Sequence, residues 1–137
     1  MTYVFDSSFI GALIIPDEKN PLVDKMRSSI GENEEIFTPQ LVWYEIANIF
    51  KNLIIRKRNT FDDVLQFFPL LAAIRLTADS ETGIVYSEKL LRLCVDHGLS
   101  AYDAAYLELA GRKKAVLCTL DENLKKAAKK YGVVTLK

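Results

Sequence analysis

The chain has 137 residues, half of them hydrophobic and 26% charged, and its 18 basic and 18 acidic side chains cancel. That length suits one domain, since single cores organise roughly 100–200 residues; the apolar content excludes a disordered chain, and no apolar run approaches the roughly 20 residues of a membrane-spanning helix. Zero net charge gives no whole-molecule field that would announce a nucleic-acid partner. The N-terminus, Met1 to Asp6, lacks both the basic start and the small-residue cleavage site of a signal peptide, so the expected compartment is the cytoplasm.

In chain order, Tyr3-Val4-Phe5 is a short β-prone run that stops at Asp6, and Ser7 to Leu13 reads as a helix. Pro16 to Asn20 is a polar break, and Pro21 to Ile30 is an amphipathic helix ended by Gly31. Glu35-Ile36-Phe37 reads as a second strand. Thr38 and Pro39 then suit a helix start, Thr38 as a side-chain cap and Pro39 in the first turn, for a helix over Gln40 to Arg56. A further helix opens at Thr60 and runs to Ala73. Ile74 to Thr77 reads as a strand, and Ser80 to Asp96 as a long helix closed by Gly98. Ala101 to Gly111 is helical, Ala115 to Cys118 a strand, Asp121 to Tyr131 a helix and Val133 to Leu136 a last strand. Strands alternating with helices through short connections predict an α/β fold: one parallel sheet with helices on both faces, without repeats or linkers.

Two cysteines and one histidine cannot assemble a Cys/His zinc site of the usual spacing. Cys94 and Cys118 sit among apolar residues and read as buried small hydrophobes. His97 falls at a helix end, where a cation is favoured by the helix dipole. Acid–base or metal chemistry therefore falls to carboxylates.

In an open parallel sheet, ligands bind beyond the carboxyl ends of the strands. Asp6 directly follows the first strand, and Asp121 follows the Ala115–Cys118 strand closely. Glu45 lies one to two turns into the helix after the second strand, and Asp103 in the first turn after Gly98. Each has a second reading. Asp6 can cap the helix that begins at Ser7, while Ser100 to Asp103 and Thr119 to Glu122 both match capping-box spacing. Glu45 shares a polar stripe with Asn48 and Asn52 on an otherwise apolar helix, which suits a cleft or an outward surface. Gathered together, such carboxylates would repel one another unless a cation lay between them, and Mg²⁺ and Mn²⁺ prefer oxygen ligands.

Four strings in order carry a resemblance: Val4-Phe5-Asp6-Ser7-Ser8, Thr38-Pro39 leading to Glu45-Ile46-Ala47-Asn48, Leu99-Ser100-Ala101-Tyr102-Asp103-Ala104-Ala105-Tyr106-Leu107, and Val116-Leu117-Cys118-Thr119-Leu120-Asp121. Together they resemble the PIN-domain ribonucleases, in particular VapC-type toxins of type II toxin–antitoxin pairs, over nearly the whole chain. The resemblance implies a single PIN domain over residues 1–137 and metal ligands at Asp6, Glu45, Asp103 and Asp121, around one or two Mg²⁺ or Mn²⁺ ions. It implies Ser8 and Thr119 as hydrogen-bond partners of those ligands, and Asn48, on the stripe of Glu45, is counted with them. It further implies an RNA substrate cut to 5′-phosphate and 3′-hydroxyl ends, a homodimer, and a VapB-type antitoxin held in the active-site groove.

Under that resemblance Lys125, Lys126 and Lys129, which follow Asp121 on one helix, read either as phosphate contacts or as a solvated face. Arg56-Lys57-Arg58 and Arg112-Lys113-Lys114 are further basic clusters. Phe61, Leu65, Phe67, Phe68, Leu70 and Leu71 are too apolar for one buried stripe, and suit a dimer or antitoxin contact or local core packing. Two other functions compete: a PIN-domain RNA-processing nuclease without an antitoxin, and a non-enzymatic α/β module with an acidic regulatory pocket. The second is disfavoured because a receiver-like pocket needs several Asp residues after the first strand, where only Asp6 stands.

Overall fold

The computed structural model describes residues 1–17 and 20–137, so the polar break expected over 16–20 lies partly outside the described residues. Four parallel strands form one sheet in the order β3-β2-β1-β4, with β1 Thr2–Phe5, β2 Glu35–Thr38, β3 Thr77–Ala78 and β4 Val116–Cys118. Tyr3, Val4 and Phe5 are all buried, as expected for a central parallel strand covered on both faces. The register sets Val4 opposite Phe37 on one side and Leu117 on the other.

Eight helices surround the sheet among the described residues: α1 Ser7–Ile14, α2 Pro21–Ser29, α3 Val42–Ile55, α4 Phe61–Leu65, α5 Phe67–Ala73, α6 Ile84–His97, α7 Ala101–Lys113 and α8 Glu122–Tyr131. Their starts follow side-chain capping chemistry. Asp6 caps α1, Asn20 caps α2 with Pro21 in the first turn, and Thr60 and Asp63 form a reciprocal capping box on α4. Helix α7 is the most deeply placed, with every residue from Ala104 to Ala110 buried against the sheet and its neighbours. Its alanines let backbones approach closely, and Phe5 and Phe9 pack ring to ring at 4.9 Å beneath α1.

One ionic junction ties β3 to α7. Arg112 donates to Asp79, just past β3, at 3.1 and 2.6 Å, and to the buried Glu108 at 2.9 Å. A fork-shaped guanidinium suits such a pair of carboxylates. It holds the Asp79 carboxyl below its usual range and pushes the Arg112 pKa up.

Several expectations need correction. Thr38 does not cap a helix: it ends β2, its hydroxyl is buried without a partner among the described residues, and α3 begins at Val42 with no side-chain cap among them. The helix expected over 60–73 is divided at Gln66 into α4 and α5. The strand expected at Ile74–Thr77 is displaced to Thr77–Ala78, because Arg75 turns the chain with a φ of 59°. The α6 helix starts at Ile84 rather than Ser80, after Gly83 at a φ of 96°, a conformation glycine adopts without steric cost. The last strand shrinks to one parallel bridge, Leu117 to Thr135. Cys118 is buried and Cys94 half-buried, both free, and His97 ends α6 before the left-handed Gly98 as expected.

No helix among the described residues is long and apolar enough to cross a membrane.

Candidate functional site

From β1 the chain builds outward in one direction to β2 and β3, then returns to the other side of β1 at β4. The carboxyl ends of β1 and β4 therefore flank the reversal of strand order, where open parallel sheets form their ligand crevice. The backbone N–H of Asp6 donates to the carbonyl of Cys118 at 3.1 Å, which locks these two ends together.

Asp6 is 5% exposed and its carboxylate is held from three sides. Oδ1 accepts from the Ser8 hydroxyl at 2.7 Å and from the Phe9 N–H at 2.9 Å, while Oδ2 accepts from the Thr119 hydroxyl. Thr119 in turn accepts the Asp121 N–H at 3.0 Å, and Ser8 accepts the Leu120 N–H at 3.2 Å. Ser8 and Thr119 thus stitch Asp6 to the loop that carries Asp121. Asp121 itself caps α8, Oδ1 accepting from the Leu124 N–H at 3.0 Å, so the expected capping box over Thr119 to Glu122 is replaced by a cap at Asp121. At α7 the Ser100 hydroxyl accepts the Asp103 N–H at 3.2 Å, and this cap leaves the Asp103 carboxylate in the first turn.

Glu45, half-buried on α3, accepts a hydrogen bond from the Tyr106 hydroxyl at 2.5 Å. Tyr106 is 1% exposed, and burial followed by contact with Glu45 drives its pKa far above that of a free phenol. This partner is the functional contact that sequence reading missed; an aromatic residue three positions after Asp103 on the same helix was its only signal. Asn48 lies on the same hollow as Glu45, whereas Glu45 has Tyr106 and Ser7 as hydrogen-bond partners.

Charge among these acidic residues is felt at three of them, Asp6, Glu45 and Asp103. Burial is the main reason that Asp6, Glu45 and Asp103 hold their protons more tightly than free carboxyls. Repulsion adds to it: Asp103 acts on Asp6 and on Glu45, Asp6 on Glu45, and Asp121 on Asp103. The hydroxyl and N–H donors around Asp6 and Glu45 work in the opposite direction. The sheet edge therefore brings Asp6, Glu45, Asp103 and Asp121 into one electrostatic neighbourhood. Among the described residues, however, no three acidic, histidine or cysteine side chains stand close enough to enclose an ion as placed. Asp6 is held by its donors and Glu45 by Tyr106, while Asp121 is exposed. An oxygen-only set of mutually repelling carboxylates fits a hard divalent cation.

Elsewhere the basic clusters separate. Arg112 is committed to Asp79 and Glu108, and Lys113 sits over the Phe37 ring at 4.6 Å. Lys125, Lys126, Lys129 and Lys137 line a hollow of about 450 Å³, with Lys125 also paired to Glu122 at 3.2 Å. The apolar stretch after Thr60 divides too: Phe67 and Leu71 enter the core, while Phe61, Leu65 and Phe68 line an open groove of about 380 Å³ against Phe50, Ile54 and Ile55 of α3. Leu70 is exposed.

A family model described as PIN domain matches residues 3–130. Ribonuclease VapC3 of Pyrobaculum aerophilum is 27% identical over 128 residues, covering 90% of this chain and 92% of that protein. The solved structure of PAE2754, from the same organism, is similar with a TM-score of 0.71 at 24% identity, over 99% of this chain and 84% of that one. VapC20 of Mycobacterium tuberculosis, described as a sarcin-ricin loop cleaving toxin, has a TM-score of 0.67 at 17% identity, over 91% of this chain and 94% of that one. The two structural likenesses bear on fold alone. With the family model spanning nearly all of its length, this chain belongs to the PIN-domain family.

Proposed function

We propose that the protein is a Mg²⁺- or Mn²⁺-dependent endoribonuclease and the toxin of a VapBC-type pair. What supports this reading is the repulsion felt among carboxylates carried by the N-cap of α1, by α3, by α7 and by the N-cap of α8, which adds to the cost of ionising Asp6, Glu45 and Asp103. Similarity to a ribonuclease named VapC3 supports the substrate class.

Asp6, Glu45, Asp103 and Asp121 would hold the ion. The chemistry that a bound Mg²⁺ or Mn²⁺ supplies is stabilisation of negative charge on the phosphate and acidification of the attacking water. Ser8 and Thr119 fix the rotamer of Asp6, so that this ligand need not be ordered when the ion arrives. Tyr106 does the same for Glu45. Lys125, Lys126 and Lys129, opening onto a basic hollow on α8, supply contacts for the phosphates of the bound strand. His97 takes no part; its ring packs edge-on against Tyr131 at 5.5 Å.

The antitoxin and dimer assignments come from the family resemblance, and the surface offers further apolar contacts for them. The apolar groove of α3, α4 and α5 offers Phe61, Leu65 and Phe68 to an amphipathic antitoxin segment. On α6, Ile84, Leu91 and Val95 are exposed at helical spacing and suit contact with a second copy. The deciding experiment expresses the protein and its Asp6→Asn variant and incubates each with single-stranded RNA in Mg²⁺. Cleavage to 5′-phosphate and 3′-hydroxyl ends by wild type alone, abolished by chelator, is the expected result; cleavage that persists in chelator or in Asp6→Asn refutes it. Copurification with the product of an adjoining small reading frame distinguishes a toxin from a solitary processing nuclease.

A further inference from the structure

Next to the carboxylates, Leu41, Tyr44, Glu45, Asn48 and Tyr102 line a hollow of about 440 Å³, within the roughly 300–1,000 Å³ range of small-ligand sites. Two of its walls are phenol rings in open solvent: Tyr44 is 78% and Tyr102 is 64% exposed. Each directly precedes a site carboxylate in sequence, Tyr44 before Glu45 and Tyr102 before Asp103. Most of each ring stays in water, so burial contributes little to holding them there.

The hollow's chemistry selects its occupant. No lysine or arginine lines it, and Glu45 and the neighbouring Asp103 would repel a phosphate. A neutral, flat, aromatic group meets no such penalty and can stack on exposed rings, as bases of single strands do on aromatic side chains. At the hollow's edge Asn48 presents an amide, which offers both donors and an acceptor to the edge of a base. Because Glu45 belongs to both the hollow and the carboxylate group, an occupant would lie beside the reacting phosphate.

Resting on the nuclease reading above, we propose that Tyr44 and Tyr102 form a stacking site for one unpaired base flanking the scissile phosphate, with Asn48 at its edge. The site accepts a base only after it has left a duplex stack, which restricts the substrate to single strands and loops.

The test uses a fluorescent 12-nucleotide single-stranded RNA and a matched oligonucleotide with abasic riboses at its central positions. Binding is read by anisotropy in chelator, where no cleavage occurs, and cleavage is read separately in Mg²⁺. Tyr44→Ala and Tyr102→Ala should each weaken binding by roughly 5- to 150-fold, the range that alanine substitution of a stacking ring produces. Tyr44→Phe and Tyr102→Phe keep the ring and should stay within about twofold of wild type, because stacking needs no hydroxyl. Wild type should discriminate against the abasic RNA, and the double alanine variant should not.

Equal binding of abasic and normal RNA by wild type overturns the proposal without any variant, as do alanine variants that bind like wild type or phenylalanine variants that lose as much as alanine. Alanine variants that lose only affinity for an antitoxin segment, with RNA binding intact, also overturn it. In all these cases wild-type cleavage in Mg²⁺ leaves the nuclease reading standing; a wild type that neither binds nor cuts RNA removes both.

Discussion

Replacing Tyr106 with phenylalanine removes one hydroxyl, which donates to Glu45 and also meets Ser7. The ring is 1% exposed and stays in place, so no cavity of consequence forms, and the change removes only the hydroxyl that donates to Glu45 at 2.5 Å. A hydrogen bond to an ionised group contributes about 1.5–3 kcal/mol, and one between neutral groups about 0.5–1.5 kcal/mol. Glu45 is only half-buried and can turn toward water when released, so the lower part of each range applies. In the metal-free protein, Tyr106→Phe should therefore cost about 1.5–2 kcal/mol at pH 8 but about 0.5–1 kcal/mol at pH 4, where Glu45 is protonated. The folded-state pKa of Glu45 is already raised by burial, and removal of a donor that opposes the rise lifts it further. The variant's extra loss of stability thus grows as pH climbs through that pKa. For a 137-residue chain each kcal/mol corresponds to about 3–4 °C in Tm, so calorimetry at pH 8 should show a drop of about 5–8 °C and a clearly smaller drop at pH 4. A drop of the same size at both pH values, or none at pH 8, would show that Tyr106 does not hold the ionised Glu45.

Other outcomes follow from the same structure. Asp103→Asn should reduce RNA cleavage at least about 100-fold, given the several kcal/mol that metal assistance supplies, while the fold survives by circular dichroism; His97→Ala should be nearly silent in the same assay. In chelator, wild-type Tm should rise as pH falls from 7 towards 5, because Asp6, Glu45 and Asp103 bind protons more tightly folded than unfolded. Mn²⁺ added at pH 7 should raise Tm, and a Tm unmoved by both acid and metal would contradict the crowding of these carboxylates. Arg112→Met leaves Glu108, 3% exposed, with only Lys89 at 3.5 Å, and should cost about 2–3 kcal/mol, somewhat less than a fully buried broken pair. The Asp79 share of that cost is present above the unfolded pKa and is lost as pH falls through the depressed folded one, so the gap between denaturant melts should narrow in strong acid.

The sequence made local chemistry legible and left non-local partnerships hidden. Asp6 stands where a β-prone run stops, and the carboxyl end of a parallel strand is where a crevice forms, so its place follows from three residues. Ser8 followed from the family resemblance alone, and its hydroxyl bonds to Asp6 two positions away. Thr38 misled because a threonine before proline suits a helix cap as well as a strand end, and only the pairing of β2 with β3, Thr38 beside Ala78, decides between them. Tyr106 reaches Glu45 across 61 positions, and Arg112 reaches Asp79 across 33; neither spacing leaves a trace in periodicity. The apolar residues after Thr60 showed excess hydrophobicity, but their division into core and groove required the position of α3.

Manganese binding, counted by electron paramagnetic resonance as loss of the free-ion signal, tests the central claim most directly. Wild type should take up one or two ions per chain, and Asp6→Asn, Glu45→Gln, Asp103→Asn and Asp121→Asn should each weaken uptake. Undiminished uptake in all four variants, or none by the wild type, would contradict a carboxylate metal site at this edge of the sheet.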